Sequence, residues 1–197
     1  MEVNPRIKSH AYGFTDQWQS DSLITEYDLL CDRQFLVHNI NSVGLAGFFV
    51  GAMSFGYFSD RFGRRKTFLI GTFLTCVTGV ATAFLSKMGI VYFMFGRFLF
   101  LLFIHGATIV TFVYGAELLH PHWRTSGGIL GMLGFQVGYI ALSGLGYAVK
   151  GWFHQFLIIF IAPGLMFVSL LFYPESFRWY FSVGRIEEGI QSLKNFA

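Results

Sequence analysis

Gly56 to Lys66 reads GYFSDRFGRRK, a polar stretch between two apolar runs that are each long enough to cross a bilayer. Gly56 has no side chain, so a neighbouring helix backbone is expected to come close to the end of the preceding helix there. Asp60 follows one turn later on the same face, where a carboxylate can meet a neighbouring helix N-terminus or an arginine. Gly63 can take a left-handed backbone, which lets the chain reverse before the next span begins near Thr67. Arg64, Arg65 and Lys66 then stand at a membrane boundary, where a basic cluster argues for the cytoplasmic side. Taken alone, the stretch also fits a plain basic loop that only sets orientation.

The surrounding composition makes the membrane reading firm. Hydrophobic residues make up 54% of the 197, charged residues 13%, with 25 Phe and a mean hydropathy of +0.54. A soluble domain carries about 25% charge, so this chain is short of residues to cover a water-facing surface. The net charge of +3 is small and there is no dense Lys/Arg tract, which argues against nucleic acid as a partner. Cys31 precedes the first span and Cys76 lies inside the second, too far apart to bridge. Cys31 either lacks a partner that a longer chain would supply or is an inert thiol. The first 20 residues lack the continuous apolar core of a cleavable signal.

Residues 1–36 are polar, with six acids against three bases, and read as a solvated segment. Five apolar spans follow, about 37–58, 67–85, 90–116, 125–148 and 152–173. Each approaches or exceeds the ~20 residues that cross a hydrocarbon core, and in lipid such stretches are helical because unpaired backbone groups are costly. The expected fold is an all-α membrane protein. The loop at 59–66 holds Arg61, Arg64, Arg65 and Lys66, the loop at 117–124 holds Arg124, and the tail holds Arg178, Arg185 and Lys194. The alternate connections hold only Lys87 and Lys150, so the N-terminus is expected outside and the C-terminus inside.

Small residues mark two packing faces. Gly44, Gly47 and Gly51 share one face of the first span, and Gly127, Gly131, Gly134 and Gly138 form a ridge on the fourth. Beside that ridge, Met132, Gln136, Tyr139 and Ser143 suggest a helix that packs on one side and lines a cavity on the other. In the third span, Arg97 and His105 stand two turns apart, and Thr108 and Phe112 continue their face. An intramembrane arginine costs at least ~2.5 kcal/mol on lipid, so Arg97 should face the bundle interior or a partner. These residues read either as pore-facing groups or as packed, hydrogen-bonded ones.

Glu117 and Arg124 lie seven apart across the loop YGAELLHPHWRTSGG, broken by Pro121, and could tie two helix ends together. An exposed pair of this kind contributes under ~1 kcal/mol. The tail PESFRWYFSVGRIEEG carries Glu175 and Arg178 at helical spacing and continues as an amphipathic interfacial helix. Phe177, Trp179, Tyr180 and Phe181 are expected at headgroup level. For an enzyme there is little support: no paired carboxylates lie within a span, no His/Cys set has metal spacing, and no G-x-S-x-G elbow occurs. His120 and His122 flank Pro121 with no third ligand nearby and read as solvated. No metal or cofactor is expected.

Gly56, Asp60, Arg61, Gly63, Arg64 and Arg65 fit the pattern G-x-x-x-D-R-x-G-R-R, which resembles the loop signature of the major facilitator superfamily. SLITEYDLLCDR resembles the end of the large extracellular loop of organic-ion transporters, and the tail resembles the PESPRW signature that these share with sugar transporters, with Phe177 in place of the second proline. In their order and spacing these stretches look like the organic cation/anion/carnitine transporter family, from its second to its sixth helix. Leu101 departs from the small residues that the family often places after the intramembrane arginine.

The resemblance implies a partial major facilitator bundle with five transmembrane helices at 37–173, an extracellular loop remnant at 1–36 and a cytoplasmic amphipathic segment at 174–197. It implies transport of small organic ions by alternating access at the plasma membrane, with a sugar substrate as an alternative. Asp60, Arg61, Arg64, Arg65, Glu117, Arg124, Glu175 and Arg178, with Gly56 and Gly63, would form the cytoplasmic gate. Arg97, His105, Thr108, Phe112, Gln136 and Tyr139 are candidates for the substrate wall. The expected partners are a small organic ion, membrane lipid, and either a missing C-terminal half or another transporter chain. On this reading the chain is a fragment or truncated form of a transporter, or else a non-transporting protein that binds an intact one.

Overall fold

The computed structural model describes residues 34–149, 151–170 and 175–196, and among them there is no strand. The helices are α1 (Gln34–Phe62), α2 (Arg64–Leu85), α3 (Ile90–Leu118), α4 (Arg124–Ala148), α5 (Trp152–Leu170), α6 (Phe177–Ser182) and α7 (Ile186–Phe196), with 3-10 turns at Ser86–Met88 and Pro121–Trp123. Among the described residues, four helices, those beginning at the start of α1 to α4, are long and apolar enough to cross a membrane. The fifth expected span is helical over the 19 residues of α5. Its remaining residues, 171–173, lie outside the described residues, as do Cys31, the SLITEYDLLCDR stretch and all but the last three residues of the expected loop remnant.

The connection at 59–66 is shorter than the sequence suggests. Helix α1 runs on to Phe62 and α2 begins at Arg64, so Gly63 alone breaks the path. Its φ of 105° and ψ of 151° place it in a region that a side chain disfavours, and the chain turns there within one residue.

Helix α3 is the centre of the packed part, with α1 and α2 against it and α5 laid on α2. Lipid tails are as apolar as leucine, so such packing depends on close van der Waals fit and not on removal from water. Gly47 and Gly51 let α1 approach until a Cβ at either position would strike the backbone carbonyls of Phe98 and Leu102. A Cβ on Gly44 would lie 2.5 Å from Leu101 Cδ1, so the bulk of Leu101 is taken up by a glycine opposite. Phe55 is wedged the same way: a Cβ on Gly71 would stand 2.6 Å from its ring, and one on Gly106 2.5 Å. Phe55, Phe68, Ala107 and Val110 form the apolar cluster at this end, and Ala83, Phe100 and Phe160 form one where α5 joins. Of the buried threonines of α2, Thr72, Thr75 and Thr82 turn their hydroxyls onto carbonyls one turn back, Thr72 to Phe68 at 2.9 Å and Thr75 to Gly71 at 2.8 Å, while Thr67 donates across to the Phe58 carbonyl of α1, so none is left unpaired in the apolar interior.

Helix α4 departs from the expected packing. None of its residues is buried. Only Gly127 comes close to a neighbour, Leu119, while Gly131, Gly134 and Gly138 have nothing within 4 Å of a Cβ position. The ridge is present in the sequence, but among the described residues nothing lies against Gly131, Gly134 or Gly138, and the described contacts of α4 with its neighbours include ones near its two ends. At one end is the junction with α3; at the other, Gln155 Nε2 donates to the Val149 carbonyl at 2.7 Å.

Candidate functional site

The site lies at the end of the bundle where α1 stops, α2 starts and α3 stops. Each of these termini carries a charge of the wrong sign for its helix dipole, although at the end of α1 Arg61 is of the favourable sign. The first turn of α2 holds Arg64 and Arg65 at a partially positive end and contains no acid. The last turn of α3 holds Glu117 at a partially negative end, and Asp60 lies in the last turns of α1. Each misfit is offset by a group from another element.

Arg64 reaches across to α3. Its Nε donates to Glu117 Oε1 at 3.0 Å and its Nη2 stands 3.0 Å from the same oxygen, with side-chain exposures of 12% and 17%. Nη2 also pairs with Asp60 Oδ1 at 3.0 Å, although that carboxylate is 77% exposed. Nη1 donates to the Ser59 carbonyl at 3.1 Å. One guanidinium therefore joins the end of α1 to the end of α3. Half-screened and charge-assisted, its bond to Glu117 contributes about 1.5–3 kcal/mol, more than an open surface pair.

The second compensation comes from the tail. Glu175, almost fully buried, accepts the Arg65 backbone N–H at 2.8 Å and its neighbour's, Ser176 N–H, at 3.2 Å. Its carboxylate thus caps the N-terminus of α2, a role that a residue preceding the helix usually fills. A Cβ on Gly63 would stand 2.6 Å from Glu175 Oε2, so the glycine is required by space as well as by backbone angle. Ser176, fully buried, donates its hydroxyl to Glu117 Oε2 at 2.6 Å, taking the oxygen that Arg64 leaves. The Ser192 hydroxyl of α7 donates to the Glu175 carbonyl at 2.8 Å, which ties the final helix to the same point. Burial and the carboxylates of Glu188 and Glu175 push the nearby Tyr180 phenol above its ordinary pKa.

The residues expected from sequence are brought together in part. Asp60, Gly63, Arg64, Arg65, Glu117 and Glu175 converge. Arg124 does not pair with Glu117, whose two oxygens are occupied by Arg64 and Ser176; the buried Nε of Arg124 has no hydrogen-bond partner among the described residues. Glu175 turns to α2 and away from Arg178, whose guanidinium lies 5.7 Å above the Phe177 ring. Arg61 points outward and donates to the Tyr57 hydroxyl at 3.0 Å. Gly56 has none of the described residues within 4 Å of a Cβ position; among them the close approach is made earlier on α1.

Trp179 is the largest departure in the tail. It is not at a headgroup-facing position but 7% exposed, with its indole N–H donating to the Asp60 carbonyl at 2.9 Å. Phe177 occupies the first position of α6, where proline is also well tolerated, so its substitution leaves the helix start intact. Sequence alone does not single out Ser176 and marks Trp179 only as a headgroup-level aromatic, because a hydroxyl and an indole carry no charge to mark them as members of the network.

The candidate wall residues are separated. His105 is half-buried with its ring edge-on to Phe48 at 4.4 Å, Thr108 donates to its own helix at Ile104, and Phe112 is exposed. Arg97 is half-buried, with no ion-pair partner among the described residues. Gln136 and Tyr139 are exposed on α4, and no hydrogen bond or ring contact among the described residues links them to the α3 group.

The sequence matches the family of sugar (and other) transporters over residues 9–197. The chain belongs to this family. The family match and its solute carrier relatives place it within the major facilitator superfamily. It is 36% identical over 180 residues to human solute carrier family 22 member 13, covering 89% of this chain and 32% of that protein. To rabbit solute carrier family 22 member 6 it is 33% identical over 189 residues, covering 93% of this chain and 34% of the relative. The family member described here therefore spans about a third of the length of these curated relatives. Its fold is similar to the partially occluded, inward-open xylose transporter XylE of E. coli, with a TM-score of 0.70 and 21% identity over 97% of this chain and 49% of the other. The family assignment and the apolar helices together make it an integral membrane protein.

Proposed function

We propose that this chain forms the second to sixth helices of a transporter of small organic ions, and that the network around Arg64 is its cytoplasmic gate. The observation that carries the reading is the joining of three helix ends and the tail through Arg64, Glu117, Ser176 and Glu175. A bond network of this kind, present in one state of alternating access and broken in another, weights the equilibrium toward the state that holds it. The basic residues at this end favour a cytoplasmic face, with the N-terminus outside, the C-terminus inside and residence in the plasma membrane. His105, Thr108 and Phe112 on α3, with Gln136 and Tyr139 on α4, are the candidate substrate contacts, and Arg97 is a candidate for charge preference. Arg124 and Arg178 belong to the gate in a state other than the one described.

Organic ions are preferred over sugars because SLITEYDLLCDR resembles the extracellular loop of organic-ion transporters, whereas the xylose transporter shares the fold alone. A second reading is favoured by the exposure of α4: a chain that binds an intact transporter and does not itself transport.

The test is uptake of a labelled organic cation and a labelled organic anion in cells expressing this chain, beside cells expressing any longer product of its gene. Uptake by either identifies a transporter and its charge preference. Uptake by neither, at normal surface abundance, supports the binding reading. In the transporting form, Asp60→Asn is expected to cut uptake severalfold with surface abundance unchanged; equal uptake would remove Asp60 from the gate.

A further inference from the structure

Asp60 offers two groups to two partners. Its carboxylate meets Arg64, while its backbone carbonyl is among the last four of α1, which have no helical N–H left to accept from. The neighbouring carbonyls are served from nearby in sequence: Ser59 by Gly63 N–H at 3.2 Å and by Arg64 Nη1, Phe58 by the Thr67 hydroxyl at 3.3 Å. The Asp60 carbonyl is served from 119 residues away, by the Trp179 indole. The same ring closes over Gly63, its Cη2 lying 3.5 Å from a Cβ position there. Trp179 sits in α6, directly after Glu175 and Ser176, so one short segment supplies the cap of α2, a ligand to Glu117 and the cap of α1.

We infer that Trp179 is a positioning residue of the gate: its indole N–H holds the end of α1 so that Asp60 and Arg64 stay paired, and displacement of α6 releases α1 and α2 together. This rests on the gate reading above. An indole donates one hydrogen bond and accepts none, so Trp179→Phe removes the bond while keeping most of the ring that packs on Gly63. A tryptophan present only for packing would tolerate that change.

Two readouts test it. In the purified chain in lipid nanodiscs, Trp179→Phe should raise amide hydrogen exchange at residues 59–67 about tenfold, the factor that one hydrogen bond typically contributes, with α3 and α5 unchanged. In the form that transports, it should lower maximal uptake at unchanged KM and surface abundance, and should add nothing to Asp60→Asn, because both act on the same end of α1. Wild-type exchange at 59–67, or a double variant whose loss is the product of the two single losses, would overturn the inference. If the wild-type chain shows no uptake in any form, the gate role falls with the transporter reading, while the exchange measurement separately reports whether Trp179 holds α1.

Discussion

The α1–α2 turn hinges on one glycine and helix α4 carries a ridge of them, and the structure treats the two in opposite ways. At the turn, Gly63 is enclosed by Glu175 and Trp179, and the chain passes through an angle that only glycine takes easily. On α4, Gly131, Gly134 and Gly138 have none of the described residues within 4 Å of a Cβ position. A glycine states that something can come close. What comes close is decided by the rest of the fold, here a tail more than a hundred residues further on.

The strongest way to break this contrast is Gly63→Ala. A Cβ there meets the Glu175 carboxylate and demands an unfavourable φ, so the cap of α2 should be displaced at a cost of roughly 2–4 kcal/mol, read as a lower thermal midpoint in detergent. A midpoint equal to wild type would mean that the tail does not dock on the turn.

Glu117→Gln sharpens the picture by separating charge from shape. The amide can still meet the Ser176 hydroxyl but no longer pairs with Arg64, and a loss of about 1.5–3 kcal/mol is expected. The loss should shrink as salt is raised, because part of the interaction is reached by solvent. A salt-independent loss would point to packing as the cause.

The smallest effect belongs to α4. Gly134→Leu meets none of the described residues and should change the stability of this chain by no more than ~0.5 kcal/mol. A large fall in thermal midpoint would show that a partner packs on the ridge, and the contrast with Gly63 would disappear.

The apolar runs, the glycine face of α1 and the charged residues of the α1–α2 turn were all legible in the sequence. Spans of this length in lipid have one backbone solution, and Gly44, Gly47 and Gly51 recur at helical offsets that pack together on α3. The pairing of charges was not legible. Glu117 stands seven residues from Arg124 and 53 from Arg64, yet its partner is Arg64. Spacing reports only neighbours along a helix, and this bond is made between helix ends.

The sequence by itself therefore determined that this is a helical membrane protein, roughly where its helices run and which residues carry charge at their ends, since these follow from local hydropathy, backbone need and residue type. The tertiary structure alone decided that Glu175 caps α2, that Ser176 and Arg64 share Glu117, that Trp179 caps α1 and that α4 stands apart. Those outcomes depend on which distant segments arrive at one place, and a hydroxyl, an indole or a backbone carbonyl acquires its role only from the partner it meets there.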